Sequence, residues 1–351
     1  AQVGPGHLAR ARLRPPRARD ATYARLCELA ADLQIPVPLR LVSSTASGRR
    51  NSRLASCFVW ADDGVQDDVE WVCPNFGVCR VPLALAQVAA TDSLVVALLA
   101  VLEFCGTYLM APATDAGFIN AKQSKASASG LAAWLEARSP GLPAAAGRMK
   151  EVLRFAQDGS NSPAESKVYS FMTLDRSRGG LGIRGLELNR TLELGSVARG
   201  ILGYERMRPD FYLPAAGVAG EYKSRRFHPE DTWTNDDRRM DALAAEGLTT
   251  FSLNNERTRS LKELSAVGLM VARRLNLRRH APTPEQLKAR RALHSMLFST
   301  REFDGDEPPE EAYAEATAAA RAGYERRRER LGLQFSRSVN ACFQFSRAVN
   351  A

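Results

Sequence analysis

Residues 208–224, RPDFYLPAAGVAGEYKS, set one carboxylate at Asp210, then Glu221 and Lys223 beyond a turn-like LPAAG. Pro first and Gly last at 214–217 is a turn composition, and the runs on either side, 211–213 and 218–223, carry the aromatic and branched residues of strands. The stretch predicts a hairpin. Pairing Leu213 with Val218 sets its register and brings Asp210 opposite Glu221, with Cβ atoms ~4.5–5.5 Å apart. Strand side chains alternate, so Glu221 and Lys223 share one face while Gly220, Tyr222 and Ser224 point the other way. Asp210, Glu221 and Lys223 are therefore expected to converge, an arrangement that a slip of one residue would destroy.

Like charges directly opposite on a sheet are destabilising, so a pair of facing carboxylates needs a compensating cation. The cation is either the lysine or a hard metal with oxygen ligands, for which Mg²⁺ (or Mn²⁺) is the natural choice. Phosphodiester hydrolysis uses such a group: two carboxylates hold the metal against the scissile phosphate, and a lysine positions or polarises the nucleophile. The plain alternative is an exposed hairpin whose Asp, Glu and Lys form a cross-strand charge pair.

The order Asp-x(10)-Glu-x-Lys lies after a Glu-bearing helix in RFAQDGSNSPAESKVYSFM and before NDDRRMDALAAEGLTTFSL, a helix with acidic and basic residues that ends in glycine before a strand. This pattern, over about residues 150–276, resembles the PD-(D/E)xK nuclease superfamily and, within it, the very-short-patch-repair-like endonuclease domains of bacteria. The resemblance implies an α/β (α+β) class with a restriction-endonuclease-like mixed sheet flanked by helices. It also implies Asp210 and Glu221 as metal ligands, Lys223 as the catalytic lysine and Glu165 as an accessory ligand or water-positioning acid. Glu165 has a second reading, because Ser162-Pro163-Ala164-Glu165 is also a capping box with Pro at the first helical position. Arg238 and Arg239 are candidates for phosphate contact, or else belong to a solvated helix face. His228 has no ligand spacing around it and reads as a loop residue.

Composition agrees with a polyanionic partner: 48 Lys and Arg against 39 Asp and Glu give a net charge of +9 in 351 residues. DNA is the expected partner, RNA the lesser alternative. Cys27, Cys57, Cys73, Cys79, Cys105 and Cys342 lack the spacing of a secreted scaffold or a zinc site, so a reducing cytoplasm is expected. LVVALLAVL at 94–102 is too short to span a bilayer and reads as a buried helix. The glycines at 179, 180 and 182 do not make a phosphate-binding nucleotide loop.

Four regions follow. Residues 1–20 form a basic leader with Arg10, Arg12, Arg14, Arg17 and Arg19, whose composition predicts disorder; the absent initiator Met points to a processed or incomplete start. Residues 21–145 read as a small α+β domain, opening with the helix TYARLCELAADL; from SGRRNSRLASCFVW to LEFCGTY it resembles antitoxin-type regulators of abortive-infection systems. Ser/Ala/Lys-rich and Pro/Gly-rich stretches at 120–130 and 138–147 suggest a joint before the endonuclease-like domain at 146–280. That domain is expected to end with a long helix from Thr258 to about Leu275, whose basic end includes Arg273, Arg274, Arg278 and Arg279. Residues 281–351 form a helical extension with EEAYAEATAAARAGYERRRERLG and a tail in which QFSRSVNA recurs as QFSRAVNA. The N-terminal domain or this helix would serve a protein partner, with no membrane role. The expected function is metal-dependent DNA cleavage, in defence or repair; the rival is a non-catalytic DNA-binding regulator that keeps a nuclease-like scaffold.

Overall fold

The computed structural model describes residues 39–43, 46, 51, 55–59, 67–73, 76–111, 116–138, 143–223, 233–276 and 281–298. The basic leader, the helix at 22–33, His228, Arg278, Arg279, the charged helix after 309 and the duplicated tail lie outside the described residues.

Strands β1 (Leu39–Ser43) and β2 (Ala55–Val59) pair in parallel, and β3 (Val69–Cys73) and β4 (Phe76–Cys79) pair antiparallel. Helix α1 (Val81–Thr91) has Pro82 in its first turn, where a missing N–H costs nothing. Helix α2 (Leu94–Phe104) starts at Ser93, whose Oγ accepts the Val96 N–H at 3.3 Å. This is the apolar run of the sequence, and Ala97, Leu98, Ala100, Val101 and Leu102 are buried in the core. Among the described residues no helix is long and apolar enough to cross a membrane.

After the hairpin β5 (Tyr108–Met110) and β6 (Phe118–Asn120) come α3 (Ala128–Arg138) and α4 (Pro143–Leu153). The stretch read as a Pro/Gly-rich joint is thus partly helical, and the boundary expected at 146 falls inside α4. Pro143 stands at a helix start and the alanines behind it are strong helix formers, a combination that outweighs Gly147. Ala145, Ala146, Met149 and Val152 bury one face of α4.

The following elements are α5 (Pro163–Thr173), β7 (Glu187–Leu188), β8 (Leu192–Glu193), α6 (Ser196–Leu202) and β9 (Arg206–Met207). Then come β10 (Phe211–Leu213), β11 (Val218–Tyr222), α7 (Trp233–Ala245) and β12 (Thr249–Leu253). A four-stranded mixed sheet has the order β12-β11-β10-β7. Strand β10 is antiparallel to both neighbours; β11 and β12 are parallel, joined by the crossover α7 that such a pair requires.

Helices cover both faces of this sheet. On one, Val168, Phe171 and Met172 of α5 join Phe211, Leu213, Val218, Phe251 and Leu253 in a cluster that continues to Leu83, Leu98 and Met149 of the N-terminal helices. On the other, Ala198 and Leu202 of α6 meet Ala219, Ala242 and Leu243. One apolar core therefore includes residues from both sides of position 146. Gly220 lets the sheet close, since a Cβ there would lie 2.2 Å from Cζ of Phe251 on the neighbouring strand.

The expected long helix from Thr258 is broken in two, α8 (Asn255–Arg259) and α9 (Leu261–Arg274). Ser260 separates them because its Oγ caps α9, accepting the Glu263 N–H at 3.2 Å. Helix α10 (Pro284–Phe298) packs against α5 and against the loop glycines. Gly179 has φ +92°, and a Cβ there would lie 2.3 Å from the Ala289 carbonyl oxygen, so this glycine serves chain packing. The class is mixed α+β.

Candidate active site

The site lies where the start of α5, the loop after β7 and the open end of the β10–β11 hairpin meet. Ser162 is the N-cap of α5; its Oγ accepts the Glu165 N–H at 3.2 Å and donates to Glu165 Oε1 at 2.8 Å. Glu165 Oε2 accepts the Asn161 N–H at 2.9 Å and Asn189 Nδ2 at 2.5 Å. The capping reading of Glu165 therefore holds, yet the cap also puts a buried carboxyl, only 5% exposed, in the electrostatic field of Asp210. Burial first, and the Asp210 charge second, push Glu165 up to about 7.

Asn189 was not singled out in the sequence, and it is the hub of this corner. Its N–H donates to the Asp210 carbonyl at 3.1 Å, its Oδ1 accepts Asn161 Nδ2 at 2.7 Å, and its carbonyl accepts Arg208 Nε at 3.0 Å. It does this at φ +49°, a left-handed conformation that Asn tolerates better than most residues. An Asn directly after a short strand was the only signal available.

Strands β10 and β11 pair Leu213 with Val218, Tyr212 with Ala219 and Phe211 with Gly220, the register expected from the turn. One step further, Asp210 stands across from Glu221, and Asp210 Oδ2 accepts the Tyr222 N–H at 2.7 Å. The cations are arranged differently from the simplest expectation. Glu221 Oε1 takes Arg239 Nη2 of α7 at 2.8 Å, and Arg239 also donates to the Arg208 carbonyl at 3.0 Å. Lys223 donates its N–H to Leu253 O at 2.7 Å while its ammonium lies 3.8 Å from Asp237 of α7. Arg238, one residue from Arg239, donates through Nε to Ile201 O at 3.0 Å.

Asp210, just before β10, and Glu221 of β11 offer only oxygen donors, and the charge of Asp210 reaches the Glu165 carboxyl. Among the described residues no group of three or more His, Cys, Asp or Glu side chains is arranged to hold a metal ion. Mg²⁺ is commonly held by one or two carboxylates with water and substrate phosphates completing its shell, so Asp210 and Glu221 fit that ion and not a closed protein cage. No protein-family model matches this chain, and no curated protein or solved structure matches it.

Proposed function

We propose that the protein is a metal-dependent endonuclease that hydrolyses phosphodiester bonds of DNA, built on a restriction-endonuclease-like domain. The observation that carries this reading is the hairpin register: extended one residue past its last pair, Phe211 with Gly220, it brings Asp210 across from Glu221, with Lys223 just beyond the end of β11. A mixed sheet flanked by helices, with α5 before it and α7 crossing within it, supports this reading.

In this reading Asp210 and Glu221 hold Mg²⁺ or Mn²⁺, which when bound supplies Lewis-acid stabilisation and an acidified water. Lys223 orients the attacking water and offsets charge developing on the phosphate. Glu165, with a proton affinity near neutrality, holds or accepts a proton beside that water. Arg239 must yield Glu221 to the metal or remain as a second cation against the phosphate. Bacterial cytoplasmic defence or repair is the setting that the resemblance suggests, with a protein partner on the N-terminal part.

One observation favours the rival reading, a DNA-binding regulator without catalysis: Glu221 is already neutralised by Arg239 and Lys223 is drawn towards Asp237. Incubation with supercoiled, linear and single-stranded DNA and with RNA, in Mg²⁺, Mn²⁺ or EDTA, separates the two. The endonuclease reading expects metal-dependent cutting of DNA that Lys223→Ala and Asp210→Ala both abolish. Retardation of uncut DNA by wild type and variants alike would establish the regulator instead.

A further inference from the structure

A second feature adjoins the site and plays no part in the chemistry above. A cleft of about 410 Å³ runs between α5 and β7, lined by Arg154, Phe155, Tyr169, Arg184, Glu187 and Arg190 among others. Its size is that of a small-molecule or nucleotide site. Its open surface is mostly polar, with three arginines standing beside the Phe155 ring. Arg154 and Arg184 lie over the Phe155 ring, with guanidinium carbons 5.5 and 5.0 Å from its centroid, and Phe155 itself is buried. Asp175 holds both, bonding Arg184 and standing 3.9 Å from Arg154, and Glu187 takes Arg190 at 3.3 Å.

These contacts orient the arginines without using them up. Each guanidinium has five donors, and the side chains of Arg154, Arg184 and Arg190 remain 60%, 51% and 62% exposed. Stacked and half-anchored guanidinium groups of this kind suit a phosphodiester, which they grip bidentately.

The cleft is continuous with the candidate active site along two elements. On α5, Glu165, Tyr169 and Thr173 are spaced i, i+4, i+8 and share one face, Glu165 in the site and the other two in the cleft wall. On the other side, Glu187 and Leu188 of β7 line the cleft and the next residue, Asn189, bonds Glu165. We propose that this cleft, lying between α5 and β7 and lined by Arg154, Arg184 and Arg190, seats the sugar-phosphate backbone of the nucleic-acid strand that enters the candidate active site. The proposal rests on the nuclease reading for the identity of the strand. Eight residues of helix span ~12 Å, and successive phosphates of one strand lie roughly 6–7 Å apart, so the gripped phosphate lies about two nucleotides from the scissile one.

The test is the salt dependence of binding of a short fluorescein-labelled duplex, in EDTA to prevent cutting, with a metal-containing cleavage assay beside it. Arg154→Gln with Arg190→Ala removes two contacts while leaving Arg184 on Asp175 and Phe155; Lys288→Ala, an exposed cation of α10 outside the cleft, is the control. The slope of log K against log salt between about 50 and 200 mM is expected to fall in magnitude by about 1–2 in the double variant, roughly 0.9 per phosphate contact, and to hold in the control. Phosphate-ethylation interference is expected to lose a signal about two nucleotides from the cut in the double variant. The fall in slope without any cleavage in the metal-containing assay would sink the nuclease reading and leave the cleft standing. An unchanged slope in the double variant, an equal fall in Lys288→Ala, or no binding by wild type would overturn the cleft. Competition by inorganic phosphate at matched ionic strength would overturn it too, as the sign of a small-anion site.

Discussion

Replacing Glu165 with Gln should make the protein more stable above neutrality and change it little in acid. The Glu165 carboxyl is raised from an ordinary 4.5 to about 7, by burial and then by the charge of Asp210. Its folded value lies above its unfolded one, so the folded state holds the proton more tightly. The stability this gives is present below about pH 4.5 and is lost as pH rises through about 7. A shift of that size, at ~1.4 kcal/mol per unit, amounts to about 3 kcal/mol lost to wild type once Glu165 ionises. Gln removes the charge and keeps most of the cap: its oxygen can accept from Asn161 and Asn189, and the Ser162 hydroxyl can turn to accept from its amide. Glu103, buried and also raised to about 7, titrates in the same window in both proteins, so the difference between them is the readout. Urea unfolding at about pH 5 and about pH 8 should show the variant gaining on wild type by about 2–3 kcal/mol across the interval. Mg²⁺ should shrink that gain by stabilising ionised wild type. Parallel curves for the two proteins across the interval would refute a buried Glu165 carboxyl that holds its proton to near neutrality.

Gly220→Ala puts a methyl group 2.2 Å from the Phe251 ring, and in a sheet packed on both faces it should cost about 1–3 kcal/mol or prevent folding, read by thermal unfolding. Arg239→Ala leaves the carboxylate of Glu221, 12% exposed, without its ion pair, at a cost of about 1–3 kcal/mol that Mg²⁺ should partly restore; a loss indifferent to Mg²⁺ would argue against metal at Glu221. Cys105 is buried and pushed up to about 12, so a thiol reagent at mildly alkaline pH should label it only after denaturation, with mass spectrometry as the check.

The hairpin was legible in the sequence because turn chemistry and strand alternation agree there: Pro214 and Gly217 set the register that Leu213 and Val218 then adopt. The Ser162–Glu165 cap and the apolar helix at 94–104 were legible for similarly local reasons. What escaped depends on contacts far apart in sequence. Nothing local tells that Arg239, and not Lys223, neutralises Glu221, since that follows from how the crossover α7 lies against β11. Asn189 gathers partners from 161, 165, 208 and 210, a role set by its backbone angle and its neighbours. The stretch around 143 looked like a joint because Pro and Gly punctuate it, but its alanines bury against α1 and α2. Ser260 shows the converse: a side chain able to cap a helix also divides one.

The central claim is that Asp210 and Glu221 together hold a divalent metal against a phosphodiester. Mn²⁺ binding followed by electron paramagnetic resonance, in the presence of a phosphorothioate duplex that resists cutting, tests it most directly. The account predicts bound Mn²⁺ in wild type and Lys223→Ala, and its loss in Asp210→Asn and in Glu221→Gln. Mn²⁺ left free by wild type, or held equally well by Asp210→Asn, would contradict it.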